Sequence, residues 1–233
     1  MKAPFLFEYL GLVMKYKTPY LALIFFMSFV ANASVTMVNT RVIFTGDEKE
    51  KTVHLVNRES VPYLVQSWTE DKNFKETGDF IVMPPITKMK GKSTQSIRLK
   101  KNTAPNTSDV EDLYYYNFTQ YPASDAKSQN KILFVVSTKV KIFVRPSGLS
   151  KTLEESINDV KITKANGKLK IDNPGPYHMS IFSLTDSVRK KIIKKNVLVK
   201  PKSTLTLSAP INGTEKIEIA YVDDYGAYKT LVY

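Results

Sequence analysis

The chain holds two histidines, His54 and His178, and no cysteine. A nucleophile–histidine pair or a histidine-based metal site needs such groups to converge, and these two lie in different halves of the chain. His54 alternates within a strand pattern and reads as a surface or half-buried residue. Asp223 and Asp224 could suggest carboxylate acid–base work. Neighbours on a strand face opposite ways, however, so the two share no site unless the strand bulges. No glycine-rich phosphate loop occurs. The reading is of a protein with no catalytic residue, no metal ligand and no cofactor, and not of an enzyme.

What remains to do chemistry is a strand. The run Asn130–Pro146, NKILFVVSTKVKIFVRP, sets Ile132, Phe134 and Val136 against Leu133, Val135 and Ser137, then turns basic and stops at Arg145-Pro146. Period-2 alternation of β-branched and aromatic residues predicts a long strand. Strands usually run about 5–6 residues, so this one is expected to outrun its own sheet. A long apolar edge templates pairing with another chain and is normally avoided. Here that pairing is a candidate function, and alternation alone does not decide which of the two faces would be presented.

The elements around it are short strand signals with little helical periodicity. Val35–Phe44, Glu50–Asn57, Tyr63–Thr69, Phe80–Met83, Gln95–Leu99 and Leu113–Gln120 precede the long strand. Val160–Ala165, Lys168–Asn173, His178–Thr185, Ile192–Leu198, Ser203–Leu207, Lys216–Val222 and Tyr228–Val232 follow it. Turn residues recur as in all-β sandwiches. Seven strands on each side predict two sandwich domains, 34–148 and 149–233, joined at RPSGLSKTLEES, where Pro146 and Gly148 favour a bend. Ser150–Ile157 allows a single helical turn at most.

The first 33 residues read as a secretory signal: Lys15 and Lys17, an apolar core Tyr20–Val30, then Ala31-Asn32-Ala33 before Ser34. The apolar core is too short to span a bilayer of about 30 Å; an uncleaved anchor is the alternative. Met14 is an alternative start. The formal charge is +12, and removal of Lys2, Lys15, Lys17 and Glu8 with the leader leaves +10. That surplus points to acidic partners or simply to a soluble β surface. Without cysteines, an exported chain has no disulfide framework and depends on apolar burial.

Several phrases together resemble the periplasmic chaperones that assemble pili through the chaperone/usher route. They are Asn39-Thr40-Arg41-Val42-Ile43-Phe44, Asn57 with Pro62-Tyr63-Leu64-Val65-Gln66-Ser67-Trp68, Phe80-Ile81-Val82-Met83-Pro84-Pro85, and Gln95-Ser96-Ile97-Arg98-Leu99. Lys139–Pro146, Asn173-Pro174-Gly175-Pro176-Tyr177 and Asp224-Tyr225-Gly226 complete the set, in order, over essentially all of 34–233.

The resemblance implies two immunoglobulin-like sandwiches set at an angle with a cleft between them. It also implies donor-strand complementation: the chaperone lends its seventh strand to a pilus subunit that lacks its last one. Matched residue by residue, Ile132, Phe134 and Val136 become the donors, and Arg41 and Lys141 the anchor for the subunit's C-terminal carboxylate. Glu111, Arg145 and Asp224 match a salt-bridge set joining the domains, although Val110 stands where the family usually has arginine. The short loop ASDAKSQNK resembles that of chaperones for rod-like pili. Implied partners are pilus subunits and the outer-membrane usher, in the periplasm, without nucleic acid and without stable membrane insertion once the signal is cleaved; whether the free protein caps itself as a dimer stays open. The alternative is a secreted two-domain adhesin or glycan-binding module using Tyr114–Tyr116. A secreted hydrolase would need an acid–base pair that the sequence does not offer.

Overall fold

The computed structural model describes residues 34–102, 108–123, 132–186, 192–208 and 216–233. The expected signal segment, together with Asn130 and Lys131, lies outside them. The first half contains β1 (Thr36–Met37), β2 (Arg41–Thr45), β3 (Glu50–Asn57), β4 (Tyr63–Glu70), β5 (Phe80–Met83), β6 (Ile86–Met89), β7 (Ser93–Lys101), β8 (Asp112–Pro122) and β9 (Val136–Arg145). They form a β1-β3-β7-β5 sheet facing a β2-β9-β8-β4-β6 sheet. The second half contains α1 (Leu153–Asn158), β10 (Lys161–Ala165), β11 (Lys168–Asn173), β12 (Met179–Asp186), β13 (Ile192–Val199), β14 (Ser203–Ser208), β15 (Ile217–Val222) and β16 (Tyr228–Val232). Here β10-β11-β14 faces β13-β12-β15-β16. The protein is thus nearly all β, in two sandwiches.

Alternation builds each core. Val53, Leu55, Val65, Ile97, Leu99, Tyr116, Phe118 and Ile142 are buried together in the first sandwich. Leu169, Ile171, Met179, Leu184, Ile217 and Ile219 do the same in the second. One polar device is used twice. Buried Asn57 donates to the Val61 and Lys90 carbonyls and accepts from Glu59 N–H. Buried Asn173 donates to the Tyr177 and Lys200 carbonyls and accepts from Gly175 N–H. Each amide satisfies backbone groups that would otherwise be stranded where a strand turns out of its sheet.

Several expectations need correction. Val35–Phe44 is not one strand: β1 pairs with β3 in one sheet, and β2 pairs in parallel with β9 in the other. The chain changes sheets at Val38–Thr40, where the polar run Asn39-Thr40-Arg41 interrupts the apolar pattern without marking a turn. The strand β6 follows Pro84-Pro85, which reads as the end of a strand, yet it pairs with β4. The helix α1 runs six residues because Thr152 and Glu155 form a reciprocal capping box, which satisfies first-turn N–H groups and supports a short helix.

The long strand also begins later than expected. Its ladder with β8 ends at Gln120↔Val136, although β8 itself continues to Pro122 against β4. Gln120 turns its side chain to the Val35 backbone instead, accepting from N–H at 2.6 Å and donating to C=O at 3.1 Å. Residues 132–135 therefore lie outside the ladder.

Candidate functional site

Even-numbered Val140, Ile142 and Val144 of β9 enter the first core. Odd-numbered Lys139, Lys141, Phe143 and Arg145 take the opposite face. That face meets the second sandwich: Phe143, Leu113 and Tyr115 form a small cluster with Ile43 and with Leu198 of β13. Beside it opens a cavity of about 520 Å³, lined among others by Phe74, Tyr115, His178 and Leu198.

Two cations sit side by side on the two strands at this edge of the sheet. Arg41 of β2 is the Cα partner of Lys141 of β9. Its Nη1 donates to the Val222 carbonyl at 3.0 Å, and its guanidinium carbon lies 5.8 Å from the centre of the Phe143 ring. Its Nε is buried without a hydrogen-bond partner among the described residues. Burial lowers the Arg41 pKa, against the opposing pull of Asp224, Asp223 and Glu111. Burial also lowers that of Lys141, and the neighbouring Arg41 charge lowers it further. Two like charges held half-buried and close together favour any anion that can neutralise both. Lys139, one step along the same face, is already satisfied: it meets Glu70 at 2.6 Å and lies 4.4 Å from the Phe74 ring centre. Burial would raise Glu70, but Lys139 and Trp68 outweigh it and leave this carboxyl below its ordinary value.

Behind the cations runs a buried ion network. Arg145 donates through Nε to Glu111 at 2.8 Å, and through both terminal nitrogens to Asp224 at 2.7 and 2.6 Å. Burial alone would lower the Arg145 pKa, but hydrogen bonds and charge from Asp224 and Glu111 raise it above the ordinary value. Glu111 holds a partner that sequence reasoning missed. Its other oxygen accepts from the His178 backbone N–H at 3.0 Å and from the ring Nδ1 at 2.8 Å. Asp223 and Asp224 occupy the turn after β15, not a strand. Asp223 accepts from the backbone N–H groups of Tyr225 and Ala227, so the two carboxylates serve separate tasks.

The segment expected to be donated is open. Ile132 is 83% exposed and Phe134 78%, against 50% for Leu133 and 52% for Val135; Val136, where pairing starts, is 41% exposed. None of the five packs into the first core. Among the described residues β2 pairs with β9 only over Lys141–Arg145, so Val136–Val140 have no strand on that side. The tyrosine surface of the adhesin alternative is absent. Tyr116 is fully buried and hydrogen-bonded to Ser67, and Tyr115 is buried beneath Phe74, because β8 is the central strand of its five-stranded sheet.

The model of the family described as "Pili and flagellar-assembly chaperone, PapD N-terminal domain" matches residues 34–150. That described as "Pili assembly chaperone PapD, C-terminal domain" matches 155–233. The chain belongs to the PapD family of pilus-assembly chaperones. Such a chaperone is not an enzyme. Among relatives, chaperone protein MrkB of Klebsiella pneumoniae is 31% identical over 217 residues, covering 87% of this chain and 92% of its own. Chaperone protein PapD of Escherichia coli is 30% identical over 211 residues, covering 86% of each. A chain in the structure of the Salmonella enterica SafA pilin in complex with the SafB chaperone matches with a TM-score of 0.77 at 25% identity. The match covers 86% of this chain and 95% of that chain. The E. coli chaperone DraB shares the fold, with a TM-score of 0.75 at 24% identity, covering 86% and 97%.

Proposed function

We propose that this chaperone captures pilus subunits in the periplasm by lending them β9 and the residues before it, and passes them to an outer-membrane usher. The observation that carries the reading is the open stretch Ile132–Val136, apolar and exposed, running into the first half of β9, where Val136–Val140 pair with β8 on one side and with no strand on the other among the described residues. A partner sandwich lacking one strand would pair its backbone along this edge, while alternate side chains fill its groove. Ile132, Phe134 and Val136 are the donors in this reading, and burial of each is worth about 1.5–3 kcal/mol.

Arg41 and Lys141 grip the subunit's C-terminal carboxylate. A chain end has a fixed place in the partner's sequence, so holding it sets the register in which the strands pair. Charge-assisted hydrogen bonds in a partly dry cleft provide the hold. Glu111, Arg145 and Asp224 hold the two sandwiches in the arrangement that forms the cleft. Support comes from membership of the family and from the relative whose structure is a complex with a pilin. The test is co-expression with small secreted β proteins that lack a final strand. Soluble one-to-one complexes formed only in the chaperone's presence are expected; subunits equally soluble without it would refute the reading.

A further inference from the structure

We propose that His178 is the positioning residue that fixes the second sandwich against the first, by holding Glu111 in the one orientation that serves Arg145. A single ion pair between two bodies leaves rotation about the contact free in every direction; two separated attachments leave only rotation about the line that joins them. The network here is a closed path. It leaves the second sandwich at His178, passes through Glu111 and Arg145 of the first, and returns to the second at Asp224. The carboxylate of Glu111 is divided, Oε1 for the backbone and ring N–H of His178 and Oε2 for Arg145 Nε. Its own N–H donates to the Pro176 carbonyl at 2.9 Å, so the segment Pro176–His178 and Glu111 clasp each other through backbone and side chain alike.

The ring is built for this task. An ionised carboxylate only accepts, so Nδ1 of His178 carries the hydrogen. The His178 and Phe143 ring centres lie 5.7 Å apart, Phe143 being the residue between Lys141 and Arg145 on the cleft face. The approach to His178 is rigid, because Asn173 bonds the Tyr177 carbonyl and the Gly175 N–H, and Tyr177 O–H reaches the Lys151 carbonyl. The side chains of Glu111 and His178 are 1% and 7% exposed, and loss of the imidazole would leave Oε1 with the His178 backbone N–H as its one protein partner among the described residues, at the cost of a buried charge-assisted hydrogen bond. The consequence for subunit capture rests on the cleft reading above; the effect on sandwich orientation does not.

The test uses the absence of native cysteine. Cysteines replacing exposed Lys88 and Lys170, one on each sandwich, carry nitroxide labels, and dipolar spectroscopy reads the distance between them. With His178 intact, one narrow distribution is expected. His178→Phe keeps an aromatic ring but loses the donor, and should broaden or shift it with both sandwiches still folded by circular dichroism. His178→Asn, which places an amide N–H near the Nδ1 position, should restore it. An unchanged distribution in folded His178→Phe, or Asn behaving as Phe, overturns the proposal. A readout that needs no destabilising variant is the long-range nitrogen spectrum of the imidazoles, assigned with His54→Gln. A protected Nδ1–H on His178 is required, and an Nε2–H tautomer overturns the proposal. In parallel, His178→Phe should weaken subunit capture on the order of tenfold. If Arg41→Ala retains full capture, the carboxylate reading fails while the distance measurement still judges His178.

Discussion

Arg41 and Lys141 are register partners in the parallel pairing of β2 with β9, so the fold brings two cations together at one point of the cleft. Both have their pKa lowered by burial, and for Lys141 the Arg41 charge is the second cause. An arrangement that costs stability in the free protein is one that a bound anion relieves. Arg41→Ala or Lys141→Ala should therefore leave the fold intact and weaken subunit binding by about 2–5 kcal/mol. Calorimetry with a purified subunit measures this. A subunit with an amidated C-terminus should lose a similar amount against the native chaperone and little further against either variant; full-strength binding of the amidated subunit would remove the carboxylate from the account.

The lowered Lys141 pKa gives a signed dependence on pH. The folded chain releases this proton more readily than the unfolded chain does, so below the lowered folded value the charged ammonium is a full cost. The cost fades as pH rises from that value to the ordinary lysine value, and stability from this group rises across the window. Lys141→Met should then raise the melting temperature at neutral pH while impairing capture. Capture by the native chaperone should decline as pH climbs through the same window, with proton uptake on binding. A pH-independent affinity up to the ordinary lysine range would exclude Lys141 as a charged ligand.

Exposure of the segment before β9 predicts an asymmetry between neighbours. Phe134 is more exposed than Leu133, and both lie outside the ladder with β8. If the even-numbered residues are the ones lent, Phe134→Ser should lower subunit affinity by about 2 kcal/mol, roughly the worth of burying such a side chain. Leu133→Ser should cost much less, and neither should change the chaperone's melting temperature. Equal losses at both positions would mean that the segment binds without a fixed face.

The fold was legible where period-2 alternation is clean, and the strands around Leu55, Val65, Ile97 and Ile219 could be drawn from sequence alone. It was illegible where the chain changes partner without a turn signal. Nothing local separates Met37 in one sheet from Arg41 in the other, because only the pairing with β3 or with β9 distinguishes them. The strand β6 was hidden by Pro84-Pro85, whose missing N–H groups mark an end but do not forbid a new strand directly after. As for the site, composition and spacing exposed β9 as unusual, yet only family resemblance singled out Arg41, Lys141 and Glu111. Even that did not reach His178. Its partner Glu111 lies 67 positions away, and a lone histidine opening a strand carries no local mark of such a bond.

The turn between β15 and β16 offers a prediction in which two physical costs can be separated. Gly226 has a φ of +86°, and a Cβ there would stand 2.4 Å from Oγ1 of Thr40, the residue before Arg41. Gly226→Ala thus faces a backbone cost of about 1–2 kcal/mol for a left-handed L-residue, plus a steric cost against the first sandwich. The second cost pushes apart the Arg41 contact to Val222 and the Arg145 contact to Asp224, which flank this turn. Gly226→Ala should lower both stability and subunit capture. Adding Thr40→Ala removes the clashing Oγ1 and should return capture while leaving the backbone part of the stability loss in place. Chemical denaturation and calorimetry on the four members of this cycle separate the terms. Additive effects on capture, with no rescue by Thr40→Ala, would show that the close approach of this turn to β2 has no part in shaping the cleft.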